Sequence, residues 1–131
     1  PIILDGFHCD YNAAKLASQI KKEKLFLISD ALFIGKHVKE FIWENFNVRL
    51  EGERYINSEN NLAGSTISLA DGIRNAVRYL GISLQEAIEM ATIRPAKALG
   101  MENEIGTLAP GYPAVFTLFN NDLQNFSALR M

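Results

Sequence analysis

The chain has 131 residues, 48% of them hydrophobic, with 13 basic and 15 acidic side chains and a formal net charge of −2. That length and apolar content suit one globular domain and exclude a disordered chain, while the faintly acidic balance excludes nucleic acid as the main partner, because phosphate binding calls for a basic stripe. The single cysteine, Cys9, excludes an internal disulfide framework, and no apolar run approaches the roughly 18 residues of a membrane span.

In chain order, Ile2 to Leu4 read as a buried strand that runs into Asp5, Gly6, Phe7 and His8. Asp10 stands at a helix N-cap, with Ala13, Leu16, Ala17 and Ile20 following at helical spacing. The Lys21–Lys24 run, broken by Glu23, reads as a solvated helix end. Leu25 to Ile28 form a second unbroken apolar run, ending in Ser29 and Asp30. Short apolar runs alternating with helices predict parallel strands buried on both faces.

From Glu40 to Ile56 the pattern changes. Phe41, Trp43, Val48, Leu50 and Tyr55 alternate loosely with polar residues, which predicts short antiparallel strands. A polar loop, Asn57 to Asn61, leads to Leu62-Ala63-Gly64-Ser65. Ser68 to Asp71 fit a capping pattern, with Leu69, Ile73, Val77 and Leu80 as the buried stripe and Gly81 as the stop. Ser83 to Glu86 read as a full capping box, with Leu84, Ile88 and Ala91 as the next stripe. Pro95 predicts a kink or a fresh helix start, and Gly100 ends the helix. After the Pro110-Gly111 turn, Ala114 to Phe119 read as one strand.

Few residues carry chemistry. Asp30 follows a buried apolar strand, where a carboxylate is costly unless it is used or paired. It reads as a general base or as the cap of the following turn. His8, also at a strand end, reads as a ligand-contacting or a hydrogen-bonded structural residue, and His37 as a surface residue. Gly6 allows close backbone approach, and Asp5 can pin its own loop through backbone N–H groups. Cys9 reads as inert packing. There is no HxH pair, HExxH, CxxC, P-loop or GxSxG elbow. Two histidines and one cysteine without ligand spacing do not make a metal site.

Taken together, "DGFHCD", "LFLISDA", "NLAGS", "SLADGIRNAVRYLGISLQEAIEMATIRPAKALG" and "IGTLAPGYPAVFTLF" appear in an order that resembles the C-terminal part of the N-acetylglucosamine-6-phosphate deacetylases, of the amidohydrolase superfamily. The resemblance covers the chain except for a variable stretch from about Leu32 to Asn60. It implies an α/β fold: the C-terminal portion of a (β/α)8 TIM barrel of the metal-dependent hydrolase type over residues 1–104, with a variable β-hairpin insertion at 33–60, and a strand of the small β-sandwich in a tail at 105–131. It implies hydrolysis of N-acetylglucosamine 6-phosphate to glucosamine 6-phosphate and acetate. Asp30 matches the catalytic aspartate that moves a proton between a metal-bound water and the leaving amine. Asp5, Gly6, Phe7 and His8 match one substrate loop, with His8 reaching the phosphate. Leu62, Ala63, Gly64 and Ser65 match a second substrate loop. Tyr112 and Val115 depart from the family's usual lysine and aspartate in the tail turn.

The family's metal ligands, a glutamate and two histidines, have no counterpart here. The divalent metal, zinc by expectation, is therefore expected on residues upstream of this chain, which is itself expected to be a fragment, inactive alone. Open strand edges and uncovered apolar faces predict a homodimer or association with the missing part of the barrel. A cytoplasmic enzyme with a small sugar phosphate as partner, and neither membrane nor nucleic acid, is the resulting expectation. Two other readings stand beside it: an amidohydrolase for a different N-acyl sugar or cyclic amide, and a non-catalytic sugar-phosphate binding or assembly module.

Overall fold

The computed structural model describes residues 1–120 and 122–131. At its front, strand β1 (Ile2–Ile3) lies parallel to β2 (Leu27–Ile28), with Ile2 opposite Leu27 and Ile3 opposite Ile28. Helix α1 (Tyr11–Lys21) makes the crossover between them. Asp10 caps it as the sequence predicts, its carboxylate accepting from the backbone N–H groups of Asn12 and Ala13.

Alternate residues of a strand face opposite sides. Ile2 and Leu27 therefore share one face, and they are buried with Leu4, Ala14, Leu25, Ala76, Leu80, Ala87 and Met90 in the main core. The other face carries half-buried Ile3 and exposed Ile28. Burial on both faces, as the apolar runs predicted, thus holds on one face only within this chain. In α1 the buried residue is Ala14, with Ala17 and Tyr11 packed beside it. Leu16 and Ile20, expected in the stripe, are exposed. Small side chains win this face because α1 packs on the Ala76–Leu80 segment, where Ala76 is fully buried.

The middle of the chain is a four-stranded antiparallel sheet in sequential order: β3 (Glu40–Trp43), β4 (Phe46–Glu51), β5 (Arg54–Asn57) and β6 (Leu62–Ser65). Val48, Tyr55 and Ile56 are its buried residues on β4 and β5. The Tyr55 hydroxyl is satisfied by the carbonyls of Gly35 and Val38, each at 2.8 Å. The Leu62–Ser65 stretch is a strand of this sheet, where the sequence suggested a loop. Its side-by-side pairing with β5 supplies the backbone partners that a bare loop would lack.

Helix α2 (Leu69–Asn75) starts on a complete capping box between Ser68 and Asp71 and continues through a wider turn, Ala76–Leu80, to Gly81. Its buried stripe is Gly72, Ala76 and Leu80; Leu69 is exposed. Helix α3 (Leu84–Ala91) buries Ala87 and Met90 more deeply than the predicted Leu84, Ile88 and Ala91. Its capping box is only half made. The Ser83 hydroxyl accepts from the Glu86 N–H, but the Glu86 carboxylate turns to Arg94 at 3.1 Å. Helix α4 (Ile93–Leu99) is the fresh start that Pro95 predicted, entered through an irregular Thr92. The tail holds two strands where the sequence suggested one, β7 (Val115–Phe119) and β8 (Phe126–Arg130), paired antiparallel from Val115–Arg130 to Phe119–Phe126.

Candidate active site

Parallel pairing sets the site. It brings the C-terminal ends of β1 and β2 to one edge, and Asp5 and Asp30 each stand two residues beyond the paired Ile3 and Ile28. Just past β2, Ala31 forms a parallel bridge to Ser65 at the end of β6. The three stretches singled out in the sequence, Asp5–His8, Asp30 and Leu62–Ser65, thus follow or end three neighbouring strands.

The Asp5–His8 loop is held by its own carboxylate. Asp5 Oδ1 accepts from the N–H groups of Phe7 and His8, both at 2.9 Å, and Oδ2 lies 2.7 Å from His8 Nδ1. The Asp5 side chain is 1% exposed and that of His8 17%. Burial of the carboxylate is tolerable because these partners replace its water. Since a carboxylate oxygen accepts, Nδ1 donates, which leaves His8 Nε2 as the ring nitrogen available to a ligand. Gly6 closes the turn at φ 80°, where a Cβ would stand 2.9 Å from the Tyr11 ring. Tyr11 in turn stacks on Tyr79 with ring centroids 3.9 Å apart. Burial pushes the Tyr11 hydroxyl pKa up, and the nearby Tyr79, Asp5 and Glu53 add to it. Phe7 is 41% exposed.

Asp30 is built differently. It is exposed and sits at φ 49°, a left-handed conformation uncommon outside glycine, asparagine and aspartate. Its carbonyl accepts from the Ser65 N–H at 2.9 Å. The Ser65 hydroxyl donates to the carbonyl of Ser29. Gly64, at φ 129°, lies so close that a Cβ would meet Leu32 at 2.8 Å and the Asp30 carbonyl at 3.2 Å. The backbone of Asp30 is thereby fixed from the β6 side. Among the described residues no hydrogen bond or ion pair engages its carboxylate. Leu62 is exposed and Ala63 half-buried at the start of the same strand.

Three contributors escaped sequence reasoning. Asn75 donates from Nδ2 to the Leu4 carbonyl at 2.8 Å, fixing the end of β1 from α2. Arg94, 8% exposed, donates from Nη1 to the carbonyls of Lys22 and Leu25, holding the entry to β2. Arg54 lies over the Phe7 ring. All three connect segments distant in sequence, so no local pattern signals them. His37 is exposed, as expected. Cys9 is half-buried against the core, and burial, then the charges of Asp10 and Asp5, push its thiol pKa up, away from reactivity.

Among the described residues no three His, Cys, Asp or Glu side chains come together as a metal-binding group. His8 Nδ1 and both oxygens of Asp5 are already engaged, so this donor set does not hold a metal by itself. Two surface hollows, about 390 Å³ beside Trp43, Glu44, Asn45 and Phe46 and about 310 Å³ along Thr107–Pro110 and Tyr112–Phe116, are lined by none of the site residues.

Residues 12–129 match the family model described as the amidohydrolase family. The chain belongs to the amidohydrolase family. It is 29% identical to the N-acetylglucosamine-6-phosphate deacetylase of Haemophilus influenzae over 94% of this chain and 33% of that protein. It is 32% identical to the N-acetylgalactosamine-6-phosphate deacetylase of Escherichia coli O157:H7, over 93% of this chain and 33% of that one. The crystal structure of N-acetylglucosamine-6-phosphate deacetylase from Pasteurella multocida superposes with a TM-score of 0.87 at 32% identity, over 93% of this chain and 32% of its own. The chain thus spans about a third of the length of these relatives. No helix among the described residues is long and apolar enough to cross a membrane.

Proposed function

We propose that this amidohydrolase chain is the C-terminal third of a metal-dependent deacetylase that converts N-acetylglucosamine 6-phosphate to glucosamine 6-phosphate and acetate. The observation that carries the reading is the contrast at the shared strand edge. Asp30 presents a carboxylate that nothing among the described residues engages, on a clamped backbone, beside a loop whose His8 has one nitrogen to spare. Asp30 is the group that moves a proton to the departing amine. Gly6, Phe7 and His8 contact the sugar phosphate on one side, on a loop that the buried Asp5 organises rather than by Asp5 itself. Leu62, Ala63 and Gly64 contact it on the other, where the buried Ser65 fixes the backbone of Ser29 and Asp30 instead.

The chain supplies this half only. Residues 1–104 belong to a (β/α)8 barrel, interrupted by an insertion at 33–60 that carries three antiparallel strands, β3 to β5, where a hairpin was expected, and residues 105–131 belong to a small β-sandwich. The half-buried Ile3 and exposed Ile28 face supports a division in which the rest of the barrel covers it. The divalent metal, zinc by expectation, is held by residues outside this chain. Association with that remainder, or with a second copy, shields the open strand edges. The chain's relatives act on a charged sugar phosphate, and a cytoplasmic enzyme is the reading that suits them.

A second reading changes only the sugar. Identity to a relative named for N-acetylgalactosamine 6-phosphate is as high as to those named for the gluco epimer. Acetate release from both epimers, by the complete polypeptide and by this chain alone with added zinc, tests these readings. The complete polypeptide is expected to release acetate from the gluco epimer faster, and this chain alone to release none. Preference for the galacto epimer would select the second reading. Release by this chain alone would refute the division of labour, and silence of the complete polypeptide on both would favour a non-catalytic binding module.

A further inference from the structure

Arg54 opens β5, directly opposite Ser65 of β6, at the point where the pairing of these strands slips. The β4–β5 turn that precedes it is tied down independently, because the Thr66 hydroxyl donates to the Glu53 carbonyl at 2.6 Å. From this post the guanidinium reaches across to the other strand end, with Cζ 5.0 Å from the centre of the Phe7 ring. Its ion pair does not explain that direction. Glu51 stands at 3.3 Å, is half-exposed, and is shared with Arg49, so the pair is weak. Nε is buried with no acceptor among the described residues. The ring face of Phe7 is thus the contact that a planar, weakly hydrated guanidinium suits best.

We propose that Arg54 is a positioning residue for the Asp5–His8 loop. It holds Phe7 against the β4–β5 turn, so that the two site segments, one following β1 and the other forming β6, keep a fixed relation before a ligand arrives. Asp5 organises the loop internally, but none of its three bonds reaches the antiparallel sheet. The Arg54–Phe7 contact does. A loop already in place lowers the ordering cost of binding without touching the chemical step. The inference rests on the substrate-contacting role proposed above for this loop.

The test is a double-mutant cycle in the complete polypeptide with Arg54→Met, Phe7→Leu and the pair, reading kcat and KM for the acetylated sugar phosphate. Arg54→Met should raise KM about threefold to fivefold with kcat within about twofold. The same change in the Phe7→Leu background should leave KM nearly unchanged, and Arg54→Lys, the folded control, should fall between. An equal rise in both backgrounds, or a fall in kcat at constant KM, would overturn the proposal. If the unsubstituted polypeptide releases no acetate from either epimer, it is the deacetylase reading that fails. The same cycle read in urea unfolding then decides the contact itself: coupling between Arg54 and Phe7 supports the clamp, and simple additivity overturns it.

Discussion

Two carboxylates follow the two parallel strands at equivalent positions, and they have opposite surroundings. Asp5 is buried, and both its oxygens are consumed by Phe7, His8 and the imidazole. Asp30 is exposed, with a left-handed backbone fixed by Ser65 and a carboxylate that nothing among the described residues engages. The first builds a loop and the second is left for use. A non-glycine residue held in a sparsely populated conformation costs about 1 kcal/mol. That cost is sustained here by the closeness of Gly64 and by the hydrogen bonds of Ser65.

If the two roles are truly divided, substitutions should separate stability from activity. Removing the organiser should cost most in stability. Asp5→Ala leaves two loop N–H groups and the imidazole without their acceptor, and should lower unfolding free energy by about 3 kcal/mol in urea titration. A loss near zero would mean that water replaces the carboxylate and that Asp5 organises nothing. Next comes the clamp on Asp30. Gly64→Ala must push Leu32 aside in a backbone conformation that side chains rarely adopt, and should cost about 2 kcal/mol with a fall in activity. Full activity at unchanged stability would show that the fixed backbone of Asp30 does not matter.

The smallest effect concerns a carboxylate at neither strand end. Burial raises the Asp71 pKa, but hydrogen bonds from the Ser68 N–H and hydroxyl, and the Arg74 guanidinium, outweigh it and hold the carboxyl below its ordinary value of 3.8. A depressed folded-state pKa gives stability that is present above the unfolded value and lost as pH falls through the folded one. The unfolding midpoint of Asp71→Asn should therefore depend less on pH below about 3.8 than that of the unsubstituted protein. Equal slopes would remove Asp71 from the acid response.

Local signals in the sequence carry much of the fold. The strand before Asp5, the caps at Asp10 and Ser68, the helix restart near Pro95 and the antiparallel middle all depend on neighbours within a few residues. What escaped depends on distant partners. Helical spacing alone puts Ala13, Leu16, Ala17 and Ile20 on the stripe of α1, but close packing on Ala76 selects Ala14, with Ala17 beside it. The capping box of α3 was read from spacing, yet a buried Arg94 eight residues on takes the Glu86 carboxylate. Leu62–Ser65 looked like a loop because its glycine is a weak strand former, and only pairing with β5 and the bridge to Ala31 make it a strand. The second tail strand was missed because its five residues gain their strand character from β7. The site was legible as a set of motifs. That two of its carboxylates stand in register, one engaged and one not, was legible only in the fold.

The measurement that bears most directly on this account is the turnover and unfolding free energy of the complete polypeptide with Asp30 and with Asp30→Asn, on N-acetylglucosamine 6-phosphate. Asparagine keeps the left-handed backbone and the shape of the side chain but cannot carry the proton. In the variant, kcat should fall by about 10²–10⁴ with stability unchanged. Equal turnover would contradict it and place the base elsewhere, and a loss of stability matching the loss of rate would make Asp30 a structural residue like Asp5.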